Sequence, residues 1–194
     1  GIDAVRIQYY TGFAPSVELV YQLEENFEKM SMAGLWRFTA LSYDFQVLSG
    51  KMRSDLVLGG GWAGDILGAG FRGEGTLFYN PDSSRNAAQH FVGSISADYT
   101  FSNSLYIHAG TIFNSIGATD SIGSVNYLLN QDLSPKTLTM AKWSIFAQAS
   151  YPLSPIVNVD LSLIMNPIDA SFFVSPSVRW SMAQNVDLSF VGQL

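Results

Sequence analysis

Charge is scarce in this sequence: Asp, Glu, Lys and Arg make up only 13% of its 194 residues, about half of the ~25% in an average soluble domain. A fully hydrated surface ordinarily takes ~25–35% charged positions, so much of this chain must face something other than water. Cations are scarcer than anions, with 10 Lys and Arg against 16 Asp and Glu and a net charge of −6. That balance excludes a basic nucleic-acid binder. Cysteine is absent, which excludes a disulfide scaffold and leaves the compartment undecided. No window offers the roughly 20 consecutive apolar residues of a membrane-spanning helix. Even the charge-free stretch 100–119 is broken by Ser, Asn, Thr and His.

Aromatics, in contrast, are plentiful, at 13 Phe, 9 Tyr and 4 Trp in a chain that is 47% hydrophobic. Intrinsic disorder is thereby excluded. Seventeen glycines without a triplet repeat exclude collagen. The length suits one domain spanning residues 1–194.

The dominant period is two. Val157-Asn158-Val159-Asp160-Leu161-Ser162-Leu163 alternates apolar and polar, as do Val186-Asp187-Leu188-Ser189-Phe190 and Val5-Arg6-Ile7-Gln8-Tyr9. About twelve such segments begin near Ala4, Val17, Leu35, Asp44, Asp55, Ala69, His90, Leu105, Trp143, Ile156, Phe172 and Asn185. Residues 23–32 fit a short helix or a polar loop equally well. Pro176 interrupts 172–181, and a proline inside a sheet predicts a bulge, an edge or an irregular start. The expected class is all-β.

Connections alternate in length. Tight turns are expected at 11–16, 42–44, 64–68, 102–104, 152–155 and 183–185, and longer links at 24–33, 51–54, 80–89, 114–137 and 166–170. Short turns at one end and long loops at the other are the pattern of an antiparallel, up-and-down transmembrane β-barrel. A soluble sandwich has no reason to sort its loops by parity. Tyr10, Tyr43, Trp62, Tyr99, Tyr151 and Trp180 stand just before tight turns, and Trp143 with Tyr21, Trp36, Tyr79, Phe91, Phe113 and Phe172 at the other strand ends. The pairs Phe91/Tyr99, Trp143/Tyr151 and Phe172/Trp180 are eight residues apart, about 26 Å along a strand and ~20 Å of height after tilting. That approaches the ~25 Å apolar band between two aromatic girdles. The expected girdle is Tyr10, Tyr43, Trp62, Tyr99, Trp143, Tyr151 and Trp180.

Opposite the apolar positions stand Arg6, Glu18, Arg37, Arg72, Glu74, Asp98, Asp160 and Arg179, with Asp44 and Asp187. An Arg or Lys on the lipid face at the midplane costs ~2–4 kcal/mol, so these side chains are expected to line a lumen. If the tight turns are periplasmic, the first strand runs down and the twelfth runs up. Bacterial single-chain barrels have even strand numbers, and their termini share the periplasmic side. The expectation is therefore a segment of a longer barrel, of fourteen strands or more, lacking at least one strand at each end. A complete twelve-stranded barrel with the loops assigned the other way is the alternative. Gly1-Ile2-Asp3-Ala4 opens directly as strand, the pattern expected where a leader has been removed or a longer chain entered part-way.

The run Gly1-Ile2-Asp3-Ala4-Val5-Arg6-Ile7-Gln8-Tyr9-Tyr10 resembles the C-terminal portion of porin-like bacterial outer-membrane β-barrel proteins. So do Ala149-Ser150-Tyr151-Pro152-Leu153-Ser154-Pro155 and the stretch from Ser175-Pro176-Ser177-Val178-Arg179-Trp180-Ser181 to Asn185-Val186-Asp187-Leu188-Ser189. The resemblance implies a barrel in the bacterial outer membrane with a further strand after Leu194. It implies no substrate.

Chemistry-bearing constellations are sparse. His90 with Ser94 or Ser96 has even spacing and could be weighed as a hydrolase pair. The pattern puts that face inward with no orienting acid, so a polar lumen or rim role is expected, as for His108 with Tyr106. Two histidines 18 residues apart without cysteine are weak metal ligands. The glycines of 59–61 and 68–75 precede no helix and so make no phosphate cradle. Asp120 and Asp132 could hold a cation weakly, without calcium-loop spacing. No enzyme activity and no cofactor are expected. The leading expectation is a passive porin-like channel for small hydrophilic solutes, with 114–137 narrowing its mouth. Its expected partners are outer-membrane lipid and, through the loops, further copies or other envelope proteins. A non-conducting anchor or adhesion scaffold and a soluble secreted carbohydrate-binding β-sandwich are the alternatives.

Overall fold

The computed structural model describes residues 3–12, 15–23, 30–81, 89–119, 134–137 and 139–194. They form one antiparallel sheet of twelve strands in which every strand pairs with its sequence neighbours. The strands are β1 (Asp3–Tyr10), β2 (Ser16–Leu23), β3 (Ser31–Ala40), β4 (Tyr43–Met52), β5 (Asp55–Ile66) and β6 (Ala69–Tyr79). They continue as β7 (Gln89–Thr100), β8 (Tyr106–Asn114), β9 (Trp143–Ser154), β10 (Val157–Asn166), β11 (Ser171–Ala183) and β12 (Val186–Val191). The described residues contain no helix, and so none long and apolar enough to cross a membrane; that says nothing of a β-barrel, which crosses with strands. The edge strands β1 and β12 are not paired with each other.

Alternation sets the register, because a slip of one residue would turn every side chain to the other face. Directly opposed residues share a face, so a face can be followed from strand to strand. Val17 opposes Trp36, Trp36 opposes Val47, and Phe45 opposes Trp62. One step along the strand, Ser16 opposes Arg37, Arg37 opposes Gln46, and Gly61 opposes Glu74. Two chemically distinct faces thus run across all twelve strands. Bulky rings on the apolar face are accommodated by glycines. A Cβ on Gly73 would lie 2.5 Å from the Trp62 ring that opposes it, and one on Gly93 2.8 Å from Phe91.

The turns differ in detail from the sequence expectation. The link expected at 51–54 contracts to 53–54, because β4 and β5 pair out to Met52 and Asp55. Residues 24–29 of the stretch that fitted a helix or a loop, and Asp120 and Asp132, lie outside the described residues. Leu23 ends β2 and Ser31 begins β3. Pro176 causes no bulge: β11 runs unbroken through it, with Leu161 opposite, and the register shift falls at Ser181/Ala183. The backbone explains why. Pro176 accepts a hydrogen bond at its carbonyl from the Gly192 N–H (2.8 Å), and its missing N–H would have faced the Gly192 carbonyl. The Ser175 hydroxyl donates to that carbonyl instead (3.1 Å). In the 167–170 turn, the Ser171 hydroxyl and N–H both donate to Asp169 and hold its carboxyl below the usual carboxylate range.

The two-residue turn at 41–42 places both Leu41 (φ 53°) and Ser42 (φ 64°) in the left-handed region. Non-glycine residues pay about 1–2 kcal/mol for that conformation, and Asn-Gly is the favoured pair where both central residues have φ > 0. Replacing Leu41 and Ser42 by Asn and Gly is therefore expected to stabilise the protein by about 1 kcal/mol. Equilibrium urea unfolding measures this, and an unchanged or lowered midpoint would contradict the strain.

Candidate functional site

All eight residues expected to line a lumen fall on one face. Register places Arg6, Glu18, Arg37, Arg72, Glu74, Asp98, Asp160 and Arg179 there, together with Asp44, Asp55, Asp65 and Asp187. On the strands of the opposite face the only charges are Asp3 and Lys51, each within a residue of its strand end. Of the expected girdle, Tyr43, Trp62, Tyr99, Trp143, Tyr151 and Trp180 lie on this apolar face. Tyr10 does not. It opposes Ser16 and shares the charged face with Arg6, while Tyr9 opposes Val17 on the apolar side. Where two tyrosines end a strand, only one can take each face. Phe91/Tyr99, Trp143/Tyr151 and Phe172/Trp180 each share the apolar face.

The sheet buries almost no core of its own. Among the described residues the buried apolar side chains are Met30, Phe78 and Ala141. Ile7, Leu58 and Phe172 on the apolar face are 61%, 58% and 66% exposed.

Ion pairs knit the charged face. Arg6 donates to both oxygens of Glu18 (2.7 and 2.9 Å), and Arg37 donates to the same carboxylate at 3.3 Å. Arg72 pairs with Asp98 across β6 and β7. Between these groups lies a cavity of about 520 Å³, with Arg37, Asp44, Gln46, Arg72, Glu74 and Ser94 among its lining. Gly61 and Ala63 of β5 leave the wall low there. Most of these charges stand in the half of the face nearer the tight turns. Toward the other end the same face turns apolar at Val20, Leu48, Val57, Phe78 and Val92.

A piece of the β8–β9 connection sits over that apolar end. Asn114 is the most buried of the described residues that carry a large side chain, at 1% exposure, and ends β8. Its amide donates to the carbonyls of Lys136 (2.9 Å) and Thr139 (2.8 Å) and to the Thr139 hydroxyl, while its oxygen accepts from the Ile116 N–H. Lys136 then reaches across to pair with Asp55 at the start of β5, its ammonium 5.6 Å from the Phe78 ring centroid. Pro135 helps line a cavity of about 280 Å³ with Val20, Leu48, Met52, Val57 and Phe78. The sequence gives no sign of the Asp55–Lys136 pair, since its members are far apart along the chain.

His90, Ser94 and Ser96 share the charged face, but four positions along a strand is about 13 Å, so His90 and Ser94 do not meet as a catalytic pair. His108 opposes Asp98 and lies edge-on to Phe146, with ring centroids 5.3 Å apart. Tyr106 lies on the same face, opposite Thr100. Among the described residues, no three His, Asp or Glu side chains cluster as metal ligands would.

No protein-family model matches the chain, and neither a curated protein nor a solved structure is found to be similar to it.

Proposed function

We propose that this chain is the β-barrel of a porin-like bacterial outer-membrane protein, closed so that its charged face surrounds a water-filled passage and its apolar face meets lipid. The observation that carries this reading is the sorting of strand charges to one face on the ten strands that carry any, with Asp3 and Lys51 at strand ends the only exceptions. A soluble sheet would instead bury its apolar face against a second layer. The described residues form a single sheet, and residues such as Leu58 and Ile7 remain exposed on it. Lipid is the solvent that makes such a face favourable, and the rings at both strand ends suit its two interfaces. Closure runs through β1 and β12, either to each other or through further strands to fourteen or more.

In this reading the passage is passive. Eight strands leave room only for side chains, and larger barrels enclose water. Solutes cross by diffusion past the Arg37–Glu74 trough, and the stretch pinned by Asn114 and Lys136 narrows the opposite end. That same stretch favours the second reading, a non-conducting anchor or adhesion scaffold, if it fills the bore. The intact protein, refolded in detergent and added to planar lipid bilayers, is expected to give discrete conductance steps. A folded, heat-modifiable barrel that never conducts would leave the scaffold. A protein that stays monomeric and soluble without detergent would sink both.

A further inference from the structure

We infer that the passage selects for cations over anions, a conclusion that rests on the channel reading and gives it a substrate class. Counting side chains by register, the charged face carries eight carboxylates and four arginines. Lys136 adds one more positive charge from the connection above it. With Lys142, which stands opposite Asn114 just before β9, the wall has a net charge of −2, whereas the two charges on the strands of the apolar face, Asp3 and Lys51, cancel.

Pairing concentrates this excess. Arg6 and Arg37 are both engaged by Glu18, Arg72 by Asp98, and Lys136 by Asp55. Of the four arginines on this face, only Arg179 has no carboxylate partner among the described residues. Five acids likewise have no cationic partner there: Asp44, Asp65, Glu74, Asp160 and Asp187. Three of them accept only neutral donors: Asp44 from the Thr39 hydroxyl (2.6 Å), Asp187 from the Ser181 hydroxyl (2.6 Å) and Asp65 from the Gly68 N–H (2.8 Å). A neutral donor satisfies a lone pair but leaves the charge in place. Asp44 and Glu74 border the 520 Å³ cavity, so part of the unbalanced charge lies along the route a solute takes.

Fixed charge on a low-dielectric wall enriches the counter-ion within about one Debye length, ~8 Å at physiological salt. Rings of Asp and Glu select cations in this way in other pores. The arginines do not reverse the sign, because three of the four already face a carboxylate at ion-pair distance.

The test is the zero-current potential of the intact protein in a planar bilayer across a KCl gradient. A K⁺:Cl⁻ permeability ratio of at least about threefold is expected at low salt, falling as salt screens the wall. Glu74→Gln and Asp160→Asn lie on different strands and keep side-chain size. Each is expected to lower the ratio, and together they bring it near one, whereas Arg179→Gln raises it. A ratio of one or below in the unmodified pore overturns the inference while leaving the channel intact. So does a ratio that both neutralising variants fail to move. Absence of any conductance overturns the channel reading, and the inference falls with it.

Discussion

On the membrane reading, arginine in place of Leu161 is expected to destabilise the protein strongly, while arginine in place of its neighbour Ser162 is tolerated. Leu161 stands mid-way along β10 on the apolar face, between Ala149 and Pro176, and is 49% exposed. If that face meets hydrocarbon, a guanidinium there costs about 2–4 kcal/mol near the midplane. Ser162 lies one position on, between Gln148 and Ser175 on the charged face. An arginine there joins a hydrated wall and is expected to cost under about 0.5 kcal/mol, as for an ordinary exposed position. The two variants carry the same new charge on adjacent residues, so the main difference between them is which side of the sheet receives it. Heat-modifiable migration gives the folded fraction, and urea titration in vesicles of defined lipid gives the difference in stability. Equal costs for the two arginines would remove the distinction between the faces, and with it the membrane reading.

The same alternation explains how much could be read without coordinates. Where large apolar and polar residues alternate sharply, as in 157–163, the strand, its faces and its partners followed from the chain alone. β3 began four residues earlier than expected, at Ser31 rather than Leu35. Its opening, Ser31-Met32-Ala33-Gly34, sets Met32 and Gly34 against Ser31 and Ala33, so Met32 alone marks a face and the contrast is weak. The turn at 41–42 lacks the Asn-Gly that would mark it, and the strained Leu41 could not be recognised as a turn residue. Pro176 raised the opposite problem, a local signal cancelled by its neighbours: the Ser175 hydroxyl makes the hydrogen bond the proline cannot. The charged face was legible as a set of residues, but its pairings were not. Glu18 holding two arginines depends on β1 and β3 flanking β2, and Lys136 meeting Asp55 depends on the path of a long connection. Asn114 looked like any polar residue at a strand end, because the sequence does not show what will cover it.

That residue carries the other large expected effect. Asn114→Ala is expected to release the pieces 134–137 and 139–142 from the charged face while leaving the strand ladder in place. The amide donates to two carbonyls and a hydroxyl, and its oxygen holds the Ile116 N–H. Each such bond contributes about 1 kcal/mol net, and a buried group left without a partner costs ~1–3 kcal/mol. Local opening is therefore expected to become easier by about 2–3 kcal/mol, which is roughly 30- to 150-fold. The backbone bonds Asn114 N–H to Lys142 carbonyl and Ala118 N–H to Met140 carbonyl are the reporters, since their amides exchange slowly only while this region is closed. Asn114→Asp separates donor from acceptor. The carboxylate can still accept from Ile116, but it faces the carbonyls of Lys136 and Thr139 with no proton to give them. It is expected to be at least as disruptive as alanine. If aspartate instead protected these amides as well as asparagine does, the donated bonds would not be what holds the stretch down. In a conducting barrel, both variants are expected to raise the single-channel conductance, because the pinned stretch no longer stands over Phe78 and Val57. Unchanged conductance with faster exchange would place the stretch outside the solute path.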